Sequence, residues 1–140
     1  MKDKIFLSWN DIEALVDNLA EQINKMDKKP FYIYGVPRGG AIPAVWLSHK
    51  TGIDYYQLNS AQISKTADLS HILIVDDICD SGKTIKKLKE NFPKCQTATL
   101  YHKETAIDKP DIYGKISIYD WIYFPWESQQ SSEIRDNTYE

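Results

Sequence analysis

At 140 residues, with 42% hydrophobic and 12% aromatic side chains, the chain is sized for one domain, which buries roughly two-thirds of its unfolded surface. Seventeen Lys and Arg against twenty Asp and Glu leave a net charge of −3, which argues against nucleic acid or a membrane surface as partner, since both select a basic excess. The two cysteines, Cys79 and Cys95, lack metal-ligand spacing and are too few for a disulfide framework.

No apolar run approaches a membrane span, and the amino terminus lacks the apolar stretch of a signal peptide. The expectation is a cytoplasmic enzyme or binding module. One domain is expected over residues 1–127, with a polar, mobile tail over residues 128–140.

In chain order, Ser8 precedes a helical pattern. Ile12, Leu15, Val16, Leu19, Ile23 and Met26 recur at three- and four-residue steps, ending in the polar run Asp27-Lys28-Lys29-Pro30. Ser8 with Asp11 resembles a capping box, with Asp in place of Glu or Gln. Residues 31–34 read as a strand that turns at Gly35, and residues 41–50 as a helix that tolerates Pro43 in its first turn. A second strand is expected over residues 53–58 and a polar loop over residues 59–70.

His71-Ile72-Leu73-Ile74-Val75 is a near-continuous apolar run, as a buried parallel strand requires. A loop over residues 76–84 follows, with a helix over residues 83–92, a strand over residues 96–101, and one strand-like run over residues 116–124. Alternating strands and helices predict an α/β fold with right-handed crossovers and a mostly parallel sheet flanked by helices. Ligands in such sheets bind beyond the carboxyl ends of the strands. That rule nominates two loops, residues 35–40 and residues 76–84.

In the second loop, an apolar strand delivers Asp76 and Asp77 to the sheet edge, Asp80 follows, and Ser81-Gly82-Lys83-Thr84 opens a helix. Free backbone N–H groups and the helix dipole make that opening an anion site. Gly82 lets the backbone approach a phosphate, and the Ser81 and Thr84 hydroxyls add donors. The carboxylates above suit Mg²⁺ and sugar hydroxyls. A nucleotide P-loop also ends in Gly-Lys-Thr, but it needs a glycine where this chain has Asp77. An acidic pair at a strand end can also mark a phosphoacceptor site or a simple helix cap.

The whole pattern of residues 72–84 resembles the signature with which type I phosphoribosyltransferases bind phosphoribosyl pyrophosphate (PRPP). The resemblance implies that Asp76 and Asp77 meet the ribose hydroxyls, directly or through Mg²⁺, and are the metal ligands. It implies that Asp80, Ser81, Gly82, Lys83 and Thr84 hold the 5′-phosphate, with Asp80 also managing the proton at the purine N7. Val36-Pro37-Arg38-Gly39-Gly40 is similar to the family's pyrophosphate loop, where Arg38 and Gly39 would meet the diphosphate. Thr99-Leu100-Tyr101-His102-Lys103 resembles the strand end that places a lysine, here Lys103, on the 6-oxo group. The segment from Asp120 to Glu127 resembles the carboxy-terminal segment of xanthine-guanine phosphoribosyltransferases. There Trp121 would stack on the base, Ile122 would read its edge through backbone groups, and Trp126 is structural.

The resemblance spans residues 5–127. It implies Mg²⁺-dependent transfer of the 5-phosphoribosyl group to guanine, xanthine or hypoxanthine in purine salvage, by a homodimer or homotetramer. Two departures stand out. The polar loop over residues 59–70 is a short hood with Lys65 as its one basic residue, and Lys103-Glu104-Thr105-Ala106 differs from the bacterial guanine enzymes' Lys-Pro-Ala-Gly-like stretch. The alternative expectation is a PRPP- or nucleotide-binding regulatory module with the same fold and little turnover.

Overall fold

The first helix shows how local sequence dictates structure here. Ser8 is its N-cap. The Ser8 hydroxyl accepts from the Asp11 backbone N–H at 3.1 Å, and the Asp11 carboxylate accepts from the Ser8 N–H at 2.8 Å. This is the reciprocal arrangement expected of a capping box, and the Ser8 bonds hold the Asp11 carboxyl below its usual range. Removing the cap in Ser8→Ala is expected to cost about 1 kcal/mol, read as a fall in thermal midpoint of roughly 3–5 °C.

The structure is a computed structural model and describes residues 3–57 and 71–128. The elements are β1 (Lys4–Phe6), α1 (Trp9–Asn24), β2 (Tyr32–Gly35), α2 (Ala41–Thr51), β3 (Asp54–Gln57), β4 (Ile72–Cys79), α3 (Lys83–Asn91), β5 (Gln96–Lys103), β6 (Ile112–Ser117) and β7 (Trp121–Tyr123). The expected hood over residues 59–70 and nearly all of the expected tail lie outside the described residues.

Among the described residues, five strands form the main sheet in the order β3-β2-β4-β5-β6, and every neighbouring pair is parallel. Side chains alternate across it. Leu73 and Val75 of β4 join Ala98 and Leu100 of β5 in a core with α1 and α2, whereas Ile72 and Ile74 pack with Leu88 and Phe92 from the α3 side. The central strand is thus apolar on both faces, as its sequence predicts.

Between β5 and β6 the chain returns without a helix. Ala106 packs with Cys79 and Ile85. At the far end the Asp111 carboxylate accepts from the Thr97 N–H at 2.8 Å, the Thr97 hydroxyl at 3.1 Å and Lys89 Nζ at 2.6 Å. That knot fixes the register of β6.

Three readings of the sequence are corrected. β4 continues through Asp76 and Asp77 to Cys79, because β5 runs on to pair Cys79 with His102; the acids sit in the strand rather than in a loop. The run over residues 116–124 is two strands in two sheets, with β6 ending at Ser117 and β7 beginning at Trp121. β7 pairs in parallel with β1, which sequence reading did not identify. The first helix ends at Asn24, before the polar run that was expected to close it.

Candidate active site

Chain direction reverses its drift across the sheet between β2 and β4. From β2 the next strand lies to one side, and from β4 the following strands lie to the other. In parallel sheets this switch point opens a crevice at the strands' carboxyl ends. Both nominated loops leave the sheet there.

The loop after β2 rests directly on the end of β4. Val36 N–H donates to the Val75 carbonyl at 2.8 Å, and Gly40 N–H donates to the Val36 carbonyl at 2.9 Å. The Pro37–Arg38 peptide is cis. Gly39 lies so close to Asp77 that a Cβ there would come within 2.8 Å of its Cγ. A Cβ on Gly40 would come within 2.7 Å of the Val36 oxygen and 2.8 Å of the Asp76 Cα. These glycines are spatial requirements of a loop pressed on the acidic strand. Arg38 is exposed and, among the described residues, has no ion-pair partner.

Asp76 is half-buried and Asp77 buried. Asp76 Oδ1 accepts from the Asp77 N–H and Asp77 Oδ1 from the Ile78 N–H, each at 2.8 Å. Each carboxylate is thereby oriented by its own backbone.

Beyond them, Asp80 and Ser81 are exposed and Gly82 is buried, in the left-handed region at φ 93°. Gly82 caps α3 with no side-chain hydrogen bond, and the first turn of α3 carries no acid. Lys83 N–H meets the Ser81 hydroxyl at 3.2 Å, and Thr84 sits half-buried in the same turn. Orphan N–H groups and the positive end of the helix dipole therefore meet no acidic side chain from the first turn itself.

The β5–β6 connection props this loop. Ile107 N–H donates to the Ser81 carbonyl at 3.1 Å, and Cys79 Sγ donates to the Asp108 carbonyl at 3.2 Å. Burial, reinforced by Asp76, Asp80 and Asp108, pushes the Cys79 thiol up to about 11. It therefore stays protonated at neutral pH, as a donor must. Both cysteines are free and buried.

Lys103, at the end of β5, brings the two segments into one site. Its Nζ lies 3.0 Å from Asp80 Oδ1 and 3.0 Å from the Asp120 carbonyl. The acid and the lysine singled out separately in the sequence are ion-paired to each other. With side chains 47% and 22% exposed, such a pair contributes on the order of 1 kcal/mol or less, so a bound ligand can open it. Sequence reasoning gave Asp120 no role, because a backbone acceptor leaves no side-chain signature.

Trp121 follows, half-buried. Trp121 N–H donates to the Asp3 carbonyl at 3.2 Å, and the Tyr123 carbonyl accepts from Leu7 N–H at 2.9 Å. Alternation in a parallel ladder then turns the N–H and C=O of Ile122 to the opposite edge of β7, where no strand pairs among the described residues. The Ile122 side chain is fully buried in the core, and Trp126 stacks on Phe124 with centroids 5.0 Å apart.

Residues 48–132 match the family of the phosphoribosyl transferase domain. A xanthine-guanine phosphoribosyltransferase of Idiomarina loihiensis is 29% identical, with 89% of this chain and 87% of that protein covered. Among solved structures, a purine phosphoribosyltransferase from Pyrococcus horikoshii superposes with a TM-score of 0.74 at 32% identity, over 90% of this chain and 95% of that one. A hypothetical protein from Neisseria gonorrhoeae, solved with bound ppGpp, gives a TM-score of 0.73 at 25% identity, over 95% of this chain and 94% of that one. The acidic strand, the Ser-Gly-Lys-Thr loop that opens α3 and the glycine loop pressed against the strand sit in a chain that belongs to the phosphoribosyl transferase domain family.

Proposed function

We propose that this chain is a purine phosphoribosyltransferase, a pentosyltransferase that moves the 5-phosphoribosyl group from PRPP to guanine, xanthine or hypoxanthine and releases pyrophosphate. The observation that carries this reading is the 3.0 Å pair of Lys103 Nζ and Asp80 Oδ1 beside the phosphate loop. In a 6-oxopurine, O6 and N7 are adjacent on one edge of the base. A cation and a carboxylate held side by side match that edge, Lys103 donating to O6 and Asp80 handling the N7 proton. Adenine presents an amino donor at the same place and would confront Lys103 with a second donor.

The remaining roles are assigned by likeness to the family. Ser81, Gly82, Lys83 and Thr84 hold the 5′-phosphate at the α3 terminus, and Arg38 and Gly39 hold the diphosphate. Trp121 covers the base, and the outward backbone groups of Ile122 read its far edge. Asp76 and Asp77 lie beneath the ribose, where carboxylates stabilise positive charge developing on the sugar as the bond to pyrophosphate breaks.

Asp76 and Asp77 would also hold Mg²⁺. No group of three or more metal-ligating side chains occurs among the described residues. Two oriented carboxylates fit an ion that takes one or two protein ligands and completes its shell with substrate oxygens and water. When bound, Mg²⁺ supplies charge that favours departure of the diphosphate.

Homodimer or homotetramer assembly is part of this reading. It is supported by exposed Trp9 and Val45 and by an apolar groove of ≈ 500 Å³ lined by Ala41, Ile42, Val45, Trp46 and His49. No helix among the described residues is long and apolar enough to cross a membrane, in keeping with a cytoplasmic enzyme.

Lys103→Ala tests the base assignment. Losing a charged hydrogen bond of about 1.5–3 kcal/mol is expected to raise KM for guanine or hypoxanthine roughly 10- to 100-fold, with KM for PRPP little changed. Unchanged 6-oxopurine kinetics would remove Lys103 from the base site. A second reading, a PRPP- or nucleotide-binding regulatory module, draws on the Neisseria gonorrhoeae protein solved with ppGpp. It predicts nucleotide binding without product.

A further inference from the structure

We propose that His102 is a positioning residue of the base site, holding the backbone of Lys103 so that its ammonium falls between Asp80 and Asp120. The inference rests on the purine-transferase reading and adds a residue to it.

His102 follows buried Leu100 and Tyr101 in β5 and is only 1% exposed. An imidazole in that setting is costly unless its polar atoms are satisfied. Its Nδ1 lies 2.9 Å from the Lys103 carbonyl oxygen. A carbonyl can only accept, so the ring nitrogen carries the proton, which fixes the tautomer. The same carbonyl accepts from the Ala106 N–H at 3.0 Å, so both of its lone pairs are used. The ring stands edge-on to Tyr113 of β6, centroids 4.3 Å apart at 89°, a favourable aromatic geometry that prevents it from turning away.

Lys103 is therefore fixed at both ends. Its carbonyl is held by His102 and Ala106, and its Nζ lies 3.0 Å from Asp80 Oδ1 and 3.0 Å from the Asp120 carbonyl. A lysine stem is flexible, so a fixed ammonium position depends on a fixed backbone. A leucine would fill the same space in β5 without binding that carbonyl. The turn so pinned continues directly to Ile107, whose N–H supports the Ser81 carbonyl at 3.1 Å. His102 thus acts through Lys103 and contacts no base itself.

The test compares His102→Leu, which removes the donor, with His102→Asn, whose amide N–H can occupy the place of Nδ1–H. His102→Leu is expected to raise KM for guanine about 10-fold, as loss of one hydrogen bond implies, with KM for PRPP unchanged within about 2-fold. His102→Asn is expected to stay within about 3-fold of the unaltered protein. Equal behaviour of the two variants, or KM values for guanine and PRPP rising in parallel, would reduce His102 to a packing residue.

A ¹⁵N-edited NMR spectrum of the unaltered protein reads the bond without any variant and without turnover. A proton on His102 Nδ1 is expected; a ring protonated on Nε2 alone overturns the proposal even if guanine is converted. If no purine is converted at all, the transferase reading fails, and the spectrum still decides whether His102 holds Lys103.

Discussion

Asp80→Asn is expected to lower kcat by about 10²- to 10⁴-fold, the usual contribution of a positioned acid or base, while PRPP affinity falls far less. Asparagine keeps the size of the side chain and its place just beyond β4, but it can neither take nor return a proton at N7. Lys103 loses its charged partner in this variant, yet its second contact, the Asp120 carbonyl at 3.0 Å, remains to hold the ammonium near O6. Base binding should therefore weaken less than turnover. Steady-state kinetics with each substrate varied, beside calorimetric titration with PRPP, separate the two effects. If PRPP binding and kcat fell by the same factor, Asp80 would be a PRPP ligand without a proton-transfer role.

Gly40→Ala is expected to be the most damaging single methyl in the site. A Cβ there would meet the Val36 oxygen at 2.7 Å and the Asp76 Cα at 2.8 Å, as well as the Val75 carbonyl. All are backbone atoms, two of them in the central strand, and none can swing aside as a side chain could. Overpacking of this kind costs typically about 1–3 kcal/mol. At this chain length that is a fall in thermal midpoint of roughly 3–12 °C. The variant should also lift the loop after β2 off Asp76 and weaken PRPP binding.

Gly39→Ala makes the informative contrast. Its nearest neighbour is the Asp77 carboxylate, a side chain that can rotate. It should lose less stability and more Mg²⁺-dependent PRPP affinity. Thermal unfolding and PRPP titration of the two variants check the division, and a Gly40→Ala protein as stable as its parent would contradict the loop packing.

Much of this was legible in the sequence where the determinant is local. The Ser8–Asp11 cap, the apolar steps of α1 and the apolar run feeding Asp76 each carry their signal within a few residues. Asp80, Arg38 and the glycines stood out within their own short segments, whereas Lys103 was singled out by family resemblance. What the sequence withheld depends on distant partners. β4 runs past the acids only because β5 is long enough to pair Cys79 with His102. β1 has three residues, two of them exposed, and exists because β7 lies beside it. The break between β6 and β7 follows from Asp120, whose N–H and carboxylate bond the Asp3 backbone 117 residues away. The Lys103–Asp80 pair joins the end of β5 to the turn after β4, and the support of Ser81 by Ile107 is backbone to backbone. Neither leaves a pattern in the residue types.

The most direct test is product analysis after the full chain is mixed with PRPP, Mg²⁺ and, separately, guanine, xanthine, hypoxanthine and adenine, with Asp80→Asn run in parallel. The expected result is a nucleoside monophosphate and pyrophosphate from at least one 6-oxopurine, little or none from adenine, and loss of product in the variant. Absence of product from every base, with PRPP or nucleotide binding still measurable, would contradict it and leave a regulatory binding module in its place.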